Sequence, residues 1–540
     1  MASLMLGPVL RHAADSEATV WVETNAKCTV SVLGCEAQTF AVGGHHYALV
    51  HVTGLEPGTT TPYDVLLDGE RVWPEDDGWP HSVIRTATRG RPIDVVFGSC
   101  RTHYPHEPPY TLPKDEHPEG REVCALRALA LKLRDRPPEE WPGALIHLGD
   151  QIYADEPDPR TLEAIGGEQI ANFEQYTLAY KLSWSEPAIR WLLSTVPNSM
   201  IFDDHDVIDD WNTSETWLEE VRATDWWEER IIGAFVSYWV YQHIGNLSPA
   251  ELADDPLFAR VHELADAEEL LRDFAARADR DPTVARWSFC RDLGSARLVM
   301  VDSRAARVLD PDHRAMVDAE EWAFVERCGL ESDADHLLIG TSLPWLLAPG
   351  LHHLEAWDEA VAHGAWGKGP ARRLGERLRQ SLDLEHWAAF NESFGRLTEL
   401  VGRIGSGGNG HGPPATIVAL SGDVHHAYLA EVAYPESQGV RSRVYQATAS
   451  PFRNPLDTRE RRIVKAAASK PAAAITGALA RAAGVARPAI SWELRHKPVF
   501  DNVIGMLHID GRESSSTLYR ARPDDDGRNA RLERVHTADL

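Results

Sequence analysis

Cysteine is scarce, with six residues in 540 (Cys28, Cys35, Cys100, Cys124, Cys290 and Cys328), irregularly spaced and without a CxxC pair. That pattern argues against a disulfide framework and a zinc ribbon, and it fits reduced thiols. Basic charge is also in short supply: 54 Lys and Arg stand against 82 Asp and Glu, a formal charge of −28. A chain so charged repels phosphate backbones and anionic lipid heads, so nucleic-acid or membrane binding would need a segregated basic patch. No apolar run approaches the ~20 residues of a spanning helix. The opening Met-Ala-Ser-Leu-Met-Leu-Gly-Pro lacks the basic leader and long apolar core of a signal peptide, so a cytoplasmic location is expected. There is no internal repeat, and Ser342 and Ser450 lack the flanking glycines of a serine-hydrolase elbow, which leaves that chemistry unsupported.

What is present is the composition of a globular protein, 43% hydrophobic, 25% charged and 8% aromatic, long enough for several domains or one enzyme core with insertions. Residues 1–90 alternate short β-type runs (18–24, 28–33, 48–53, 63–67 and 81–88) with turn signals, the spacing of an antiparallel sandwich. From residue 93 the pattern becomes apolar β runs (93–97, 144–148, 199–202, 298–301, 336–339, 416–420 and 444–447) between helical stretches. Uninterrupted apolar runs are expected of strands buried on both faces, so residues 91–540 are assigned to an α/β region. Helical insertions are expected near 247–280 and 453–497. The latter is the one basic stretch, with ten Lys and Arg against three Asp and Glu. The pairs His45-His46 and His352-His353 are expected on loops.

Most of the apolar runs end in polar clusters, and in open α/β sheets the ligand crevice lies beyond the carboxyl ends of strands. Four clusters stand out: Gly98-Ser99-Cys100-Arg101, Gly149-Asp150-Gln151-Ile152-Tyr153, Asp203-Asp204-His205-Asp206 and Gly422-Asp423-Val424-His425. Carboxylates gathered at one rim repel one another unless cations neutralise them, and mixed oxygen, nitrogen and sulfur donors suit two or more di- or trivalent metals. Asp150 and Tyr153 would share one side of a helical turn, and Asp423 and His425 one face of extended chain. Each fragment alone is a common turn, cap or core element. Four of them at strand ends favour a dinuclear or larger cluster.

In that order the four clusters resemble the alkaline phosphatase D-like (PhoD-like) branch of the calcineurin-like metallophosphoesterases. Residues 52–59, followed by Tyr63-Asp64-Val65, similarly resemble a fibronectin type III-like sandwich. The resemblance implies two packed β-sheets flanked by helices, preceded by the small all-β sandwich. It places Cys100, Asp150, Tyr153, Asp204, Asp423 and His425 on metal-ligand positions, and His205 where a histidine faces the substrate phosphate. Arg101 is a candidate phosphate contact, and Arg304 is expected in a structural ion pair. Asp206 departs from the family's usual Glu, and Asp209-Asp210 from its amides. The implied activity is metal-dependent hydrolysis of a small-molecule phosphate ester, mono- or diester. The alternative is a non-catalytic protein that keeps the fold and binds a phosphorylated ligand. A phenolate and a thiolate in one cluster suit ferric iron better than magnesium or calcium, so iron is expected for one metal and calcium, zinc or manganese for another.

Overall fold

The computed structural model describes residues 1–367, 369–408, 410–524 and 529–540. In the N-terminal region one four-stranded sheet runs Leu4–Ala13, Glu17–Thr24, His45–Thr53, Phe40–Val42, and a second runs Cys35–Gln38, Thr29–Val32, Val65–Leu67, Glu70–Trp73. Side chains alternate across a strand: Val20, Val22, Val50 and Val52 of the first sheet meet Val30, Val32 and Val65 of the second. The intervening Trp21 and Tyr47 face the other way and pack on Trp184 and Tyr241 of the larger region. Each of the five expected runs contains a strand. The unexpected Leu4–Ala13 strand carries Arg11 in its second half, fully buried and donating to Gln242 O (2.6 Å) and Asn246 Oδ1 (3.1 Å), so a charged residue is a core group.

His45 lies in the His45–Thr53 strand rather than a loop, and its two ring nitrogens each stand 2.9 Å from a carboxylate, of Glu23 and of Glu174. The hydrogen bond to Glu23, reinforced by Glu174 and opposed by burial, raises its pKa to about 9, against ~6.5 unfolded. The stabilisation is therefore complete below about pH 6.5 and lost as pH rises through about 9. Glu174 is exposed, so solvent screening leaves on the order of 1 kcal/mol. His45→Gln should lower the urea midpoint at pH 6 and leave it nearly unchanged at pH 10. Equal destabilisation at both pH values would refute the linkage.

The larger region is built on two sheets. A six-stranded sheet runs Asn198–Ile201, Ala144–Leu148, Ile93–Gly98, Val503–Asp510, Glu513–Pro523, Ala530–Asp539. A seven-stranded sheet runs Phe289–Leu293, Ala296–Val301, His336–Thr341, Thr416–Ser421, Arg443–Thr448, Tyr428–Ala433, Ser491–Leu494. Leu298, Met300, Leu338, Val418 and Leu420 join the six-stranded sheet in one core. Their alternate neighbours Val299, Val301, Leu337, Ile339, Ile417 and Ala419 form a second core with helices Ala319–Leu330 and Asn391–Gly405. The architecture is thus α/β, two packed sheets flanked by helices and preceded by an all-β region.

Residues 249–280 form helices Pro249–Asp254, Pro256–Glu263 and Glu268–Arg280, and the basic stretch contains helices Thr458–Ala467 and Lys470–Ala482. His352 and His353 lie in helix Pro349–Ala362, not in a loop. Among the described residues no helix is long and apolar enough to cross a membrane.

Candidate metal centre

Strands Ile93–Gly98, Ala144–Leu148 and Asn198–Ile201 are parallel, as are Ala296–Val301, His336–Thr341, Thr416–Ser421 and Arg443–Thr448 in the other sheet. The loops after them interlock. The Cys100 N–H donates to Gly149 O (3.3 Å), the Gly422 N–H to Ser342 O (2.8 Å), the Asp423 N–H to Ser99 Oγ (3.0 Å) and the His425 N–H to Ser450 Oγ (3.2 Å). Two glycines make room for this approach. A Cβ at Gly149, where φ is +114°, would stand 2.5 Å from the Asp203 Cβ, and one at Gly422 would stand 2.3 Å from Ser99 Oγ.

Cys100, Asp150, Asp423 and His425 all have left-handed backbone, with φ of 58°, 52°, 64° and 49°. That conformation costs a non-glycine residue roughly 1–2 kcal/mol, and its concentration at one rim marks a site held against local preference. It also corrects two local expectations: Asp150 and Tyr153 are not on a helical turn, and Asp423 and His425 are not in extended chain. The convergence survives through the loops instead.

Ligand atoms of Cys100, Asp150 and His425 lie within 4.8 Å of one another, and so do those of Asp150, Asp203 and Asp204. Asp150 belongs to both groups, the arrangement of two neighbouring cation positions sharing a carboxylate. Asp150 Oδ1, Asp203 Oδ2 and Asp204 Oδ1 are buried and have no hydrogen-bond partner among the described residues. Buried carboxylate oxygens without donors are costly unless a cation completes them, so the donor set fits metal ions. The Tyr153 hydroxyl donates to Asp150 Oδ2 at 3.3 Å and accepts from Asn454 Nδ2 at 3.2 Å. Ser450 Oγ donates to Cys100 Sγ at 3.3 Å.

Burial pushes the Cys100 thiol and the Tyr153 phenol well above their ordinary pKa, and the charges around them (Asp150 and Asp423 for Cys100, Cys100 and Asp150 for Tyr153) push further. Burial also raises Asp150, Asp203 and Asp204. Such groups ionise against a multivalent cation, whose charge inverts this balance. Burial lowers His425 to about 3, leaving a neutral imidazole, the metal-binding form.

Charge not taken by a cation is met from the protein. Arg304, fully buried, pairs with Asp203, stands 2.6 Å from Glu385, and lies 3.3 and 3.5 Å from Asp204 and Asp423. His386 bridges Asp423 Oδ2 (3.0 Å) and Glu355 (2.8 Å). His205 Nδ1 lies 3.0 Å from both oxygens of Asp155, and its ring centroid is 4.5 Å from that of Tyr153. Burial disfavours the imidazolium, but Asp155, by charge and hydrogen bond, with Asp204 and Asp150 behind it, holds His205 protonated well above the usual imidazole range.

Asp203, Asp155, Glu355, Glu385 and His386 were not among the expected site residues. Asp155 follows Tyr153 by two positions, but it stands 50 positions from His205 and nothing in the sequence pairs the two; the last three lie outside any strand-end motif. Asp206 accepts from the Ile152, Asp203 and Asp150 N–H groups (2.9, 3.0 and 3.1 Å) and so clamps two of the loops together. The Arg101 side chain is buried, donates to Ser183 O (3.1 Å) and Oγ (2.9 Å), and lines a cavity of about 20 Å³ with Tyr153 and His103.

Residues 133–262 match the PhoD-like phosphatase family, and residues 1–84 match a domain of unknown function, DUF7800. The PhoD-like resemblance carried by the motifs is thereby shown, and the matched stretch contains Asp150, Tyr153, Asp204 and His205. No curated protein matches the chain in sequence. Among solved structures it is similar to PhoD, at 12% identity over 99% of this chain and 90% of that one, with a TM-score of 0.62. It is also similar to the purple acid phosphatase PPD1 from yellow lupin (Lupinus luteus) seeds, at 12% identity over 98% and 73%, with a TM-score of 0.51. At that identity the likeness is one of fold.

Proposed function

We propose that the chain is a metal-dependent phosphoesterase acting on a small-molecule phosphate mono- or diester. The observation that carries this reading is the set of buried carboxylate oxygens without donors, shared by two groups of ligand atoms through Asp150. Cys100, Asp150, Tyr153, Asp204, Asp423 and His425, joined by Asp203, would hold the metals. Cations bound there would supply a hydroxide at neutral pH and neutralise charge on the phosphoryl oxygens. The chain's own residues do the rest. Asp155 fixes His205 through Nδ1, and Nε2, 3.7 Å from the exposed Asp209 carboxylate, would donate to a phosphoryl or leaving-group oxygen. Arg304 and His386 keep Asp204 and Asp423 aimed into the cluster. Arg101, tied to Ser183, would act from the wall beside Tyr153. The His205–Asp155 pair supports an enzyme, in which the histidine gives its proton to the leaving group as well as meeting the phosphoryl oxygens. The free thiols suit the cytoplasmic location in the same reading.

The test is a phosphate-ester panel on protein purified without added metal, then stripped and reconstituted, with the metals assayed. We expect activity that is lost on stripping and restored by iron together with calcium, zinc or manganese. Tyrosinate or thiolate bound to ferric iron would colour the native protein, and Tyr153→Phe should shift or bleach the visible band. A colourless, iron-free, fully active protein would refute iron. A band unchanged in Tyr153→Phe would remove tyrosine from the ligand set.

A further inference from the structure

A large cavity lies apart from the metal centre. It is a groove of about 890 Å³ between helices Pro349–Ala362, Asn391–Gly405 and Lys470–Ala482, with the 483–489 loop in its wall. None of its lining residues belongs to the four strand-end loops. Its volume is that of a small-molecule site. Ala356, Gly402, Gly477 and Ala480 leave the helix backbones close to the groove, and Phe394 adds an apolar wall.

Two features make the groove more than a packing defect. His352 lines it and is only 2% exposed, held edge-on by Phe394 (4.8 Å) and Trp492 (4.7 Å), yet its Nδ1 has no hydrogen-bond partner. A neutral imidazole carries one donor and one acceptor, and leaving either unmet in a buried wall costs free energy. That nitrogen is itself shut off from solvent, so a groove occupant reaches it only through a turn of the ring. The charge is the second feature. On a chain of net charge −28, the groove is lined by Arg403, Arg481 and Arg487 against a single carboxylate, Glu399. Glu326 neutralises Arg403 at 2.5 Å, whereas Arg481 and Arg487 have no carboxylate partner among the described residues.

We propose that this groove binds an anionic amphiphile, a molecule whose carboxylate or phosphate head meets Arg481 and Arg487 while its alkyl tail lies on the small-residue bed. The proposal is independent of the chemistry at the metal centre. A phosphorylated head and a carboxylated head satisfy the same cations, so the site is defined by one negative head and one apolar tail. The basic helical stretch is thereby given a ligand rather than a solvated face.

The test uses the full chain with its metals and monomeric dodecanoate, below its micellar concentration, in calorimetric titration. Dodecylphosphonate is the second anionic probe, and dodecyltrimethylammonium the control of opposite charge. Gly395→Leu is the blocking variant. A Cβ at that groove position meets nothing within 4 Å, and leucine is the better helix former, so the variant should fold and keep its phosphoesterase activity. Both anions should bind, the cation should not, and Gly395→Leu and Arg481→Glu should each weaken binding at least tenfold. Equal binding of the cationic amphiphile, or anion binding untouched by both variants, would overturn the proposal. So would recruitment to phosphatidylglycerol vesicles without binding of monomeric dodecanoate, which would make the stretch a membrane-surface patch.

Discussion

Asp150→Asn is expected to abolish turnover, by at least ~10³-fold, together with loss of metal and retention of the fold. The expectation follows from position. Asp150 is the only residue common to the two groups of ligand atoms, so one substitution reaches both cation positions. A neutral amide keeps the shape but removes the charge that offsets a cation, and a 10³-fold loss corresponds to ~4 kcal/mol of transition-state stabilisation, within what a cation at the reacting phosphoryl group supplies. The sign on stability is the reverse. Burial raises the Asp150 pKa well above the carboxylate range, so the charged group is a burden on the metal-free chain, and the metal-free variant should melt at or above the metal-free parent. The same shift gives a pH dependence: protons compete with metal for Asp150, Asp203 and Asp204, and metal affinity falls as pH falls. Near-normal turnover with full metal content in Asp150→Asn would sink the assignment of this residue.

How far the sequence carried the site is visible in the same residues. Apolar runs such as 144–148 and 416–420 are strands because both of their faces are buried, and their abrupt polar ends could be read without any structure. Backbone conformation could not be read this way. Nothing in the letters Asp-Val-His signals that Asp423 and His425 are left-handed; their N–H groups donate to Ser99 and Ser450, and those partners come from distant segments. Arg304 was legible as an ion-pair residue but not as the hub of the carboxylates. Glu355 and His386 lie in helical or loop sequence with no motif of their own, and they reach Asp423 only through tertiary packing. Arg11 shows the same limit in the fold: a charged residue inside a strand reads as an exposed position until the carbonyl and amide that receive it are known.

The second large effect is expected at His205, which should act on bound substrate rather than on metal. His205→Ala should keep its metal content and lose kcat by ~10²–10⁴-fold with little change in KM, the range for a positioned acid. Asp155→Asn should fall between that variant and the parent, because the ring stays in place while the charge that holds its proton is gone. The pH profile gives the sign. A proton donor is lost as pH rises through its pKa, and Asp155 is the first group raising that pKa against burial, so the alkaline limb of kcat should lie higher in the parent than in the variant that lacks the Asp155 charge. In Asp155→Asn it should move down toward neutral. Leaving-group dependence separates a proton donor from a phosphate contact: a donor matters most when the departing alkoxide is basic. Loss in His205→Ala should therefore be larger for alkyl esters than for 4-nitrophenyl esters. Equal losses for the two ester classes would make His205 a phosphoryl contact only, and loss of metal along with activity would move it into the ligand set.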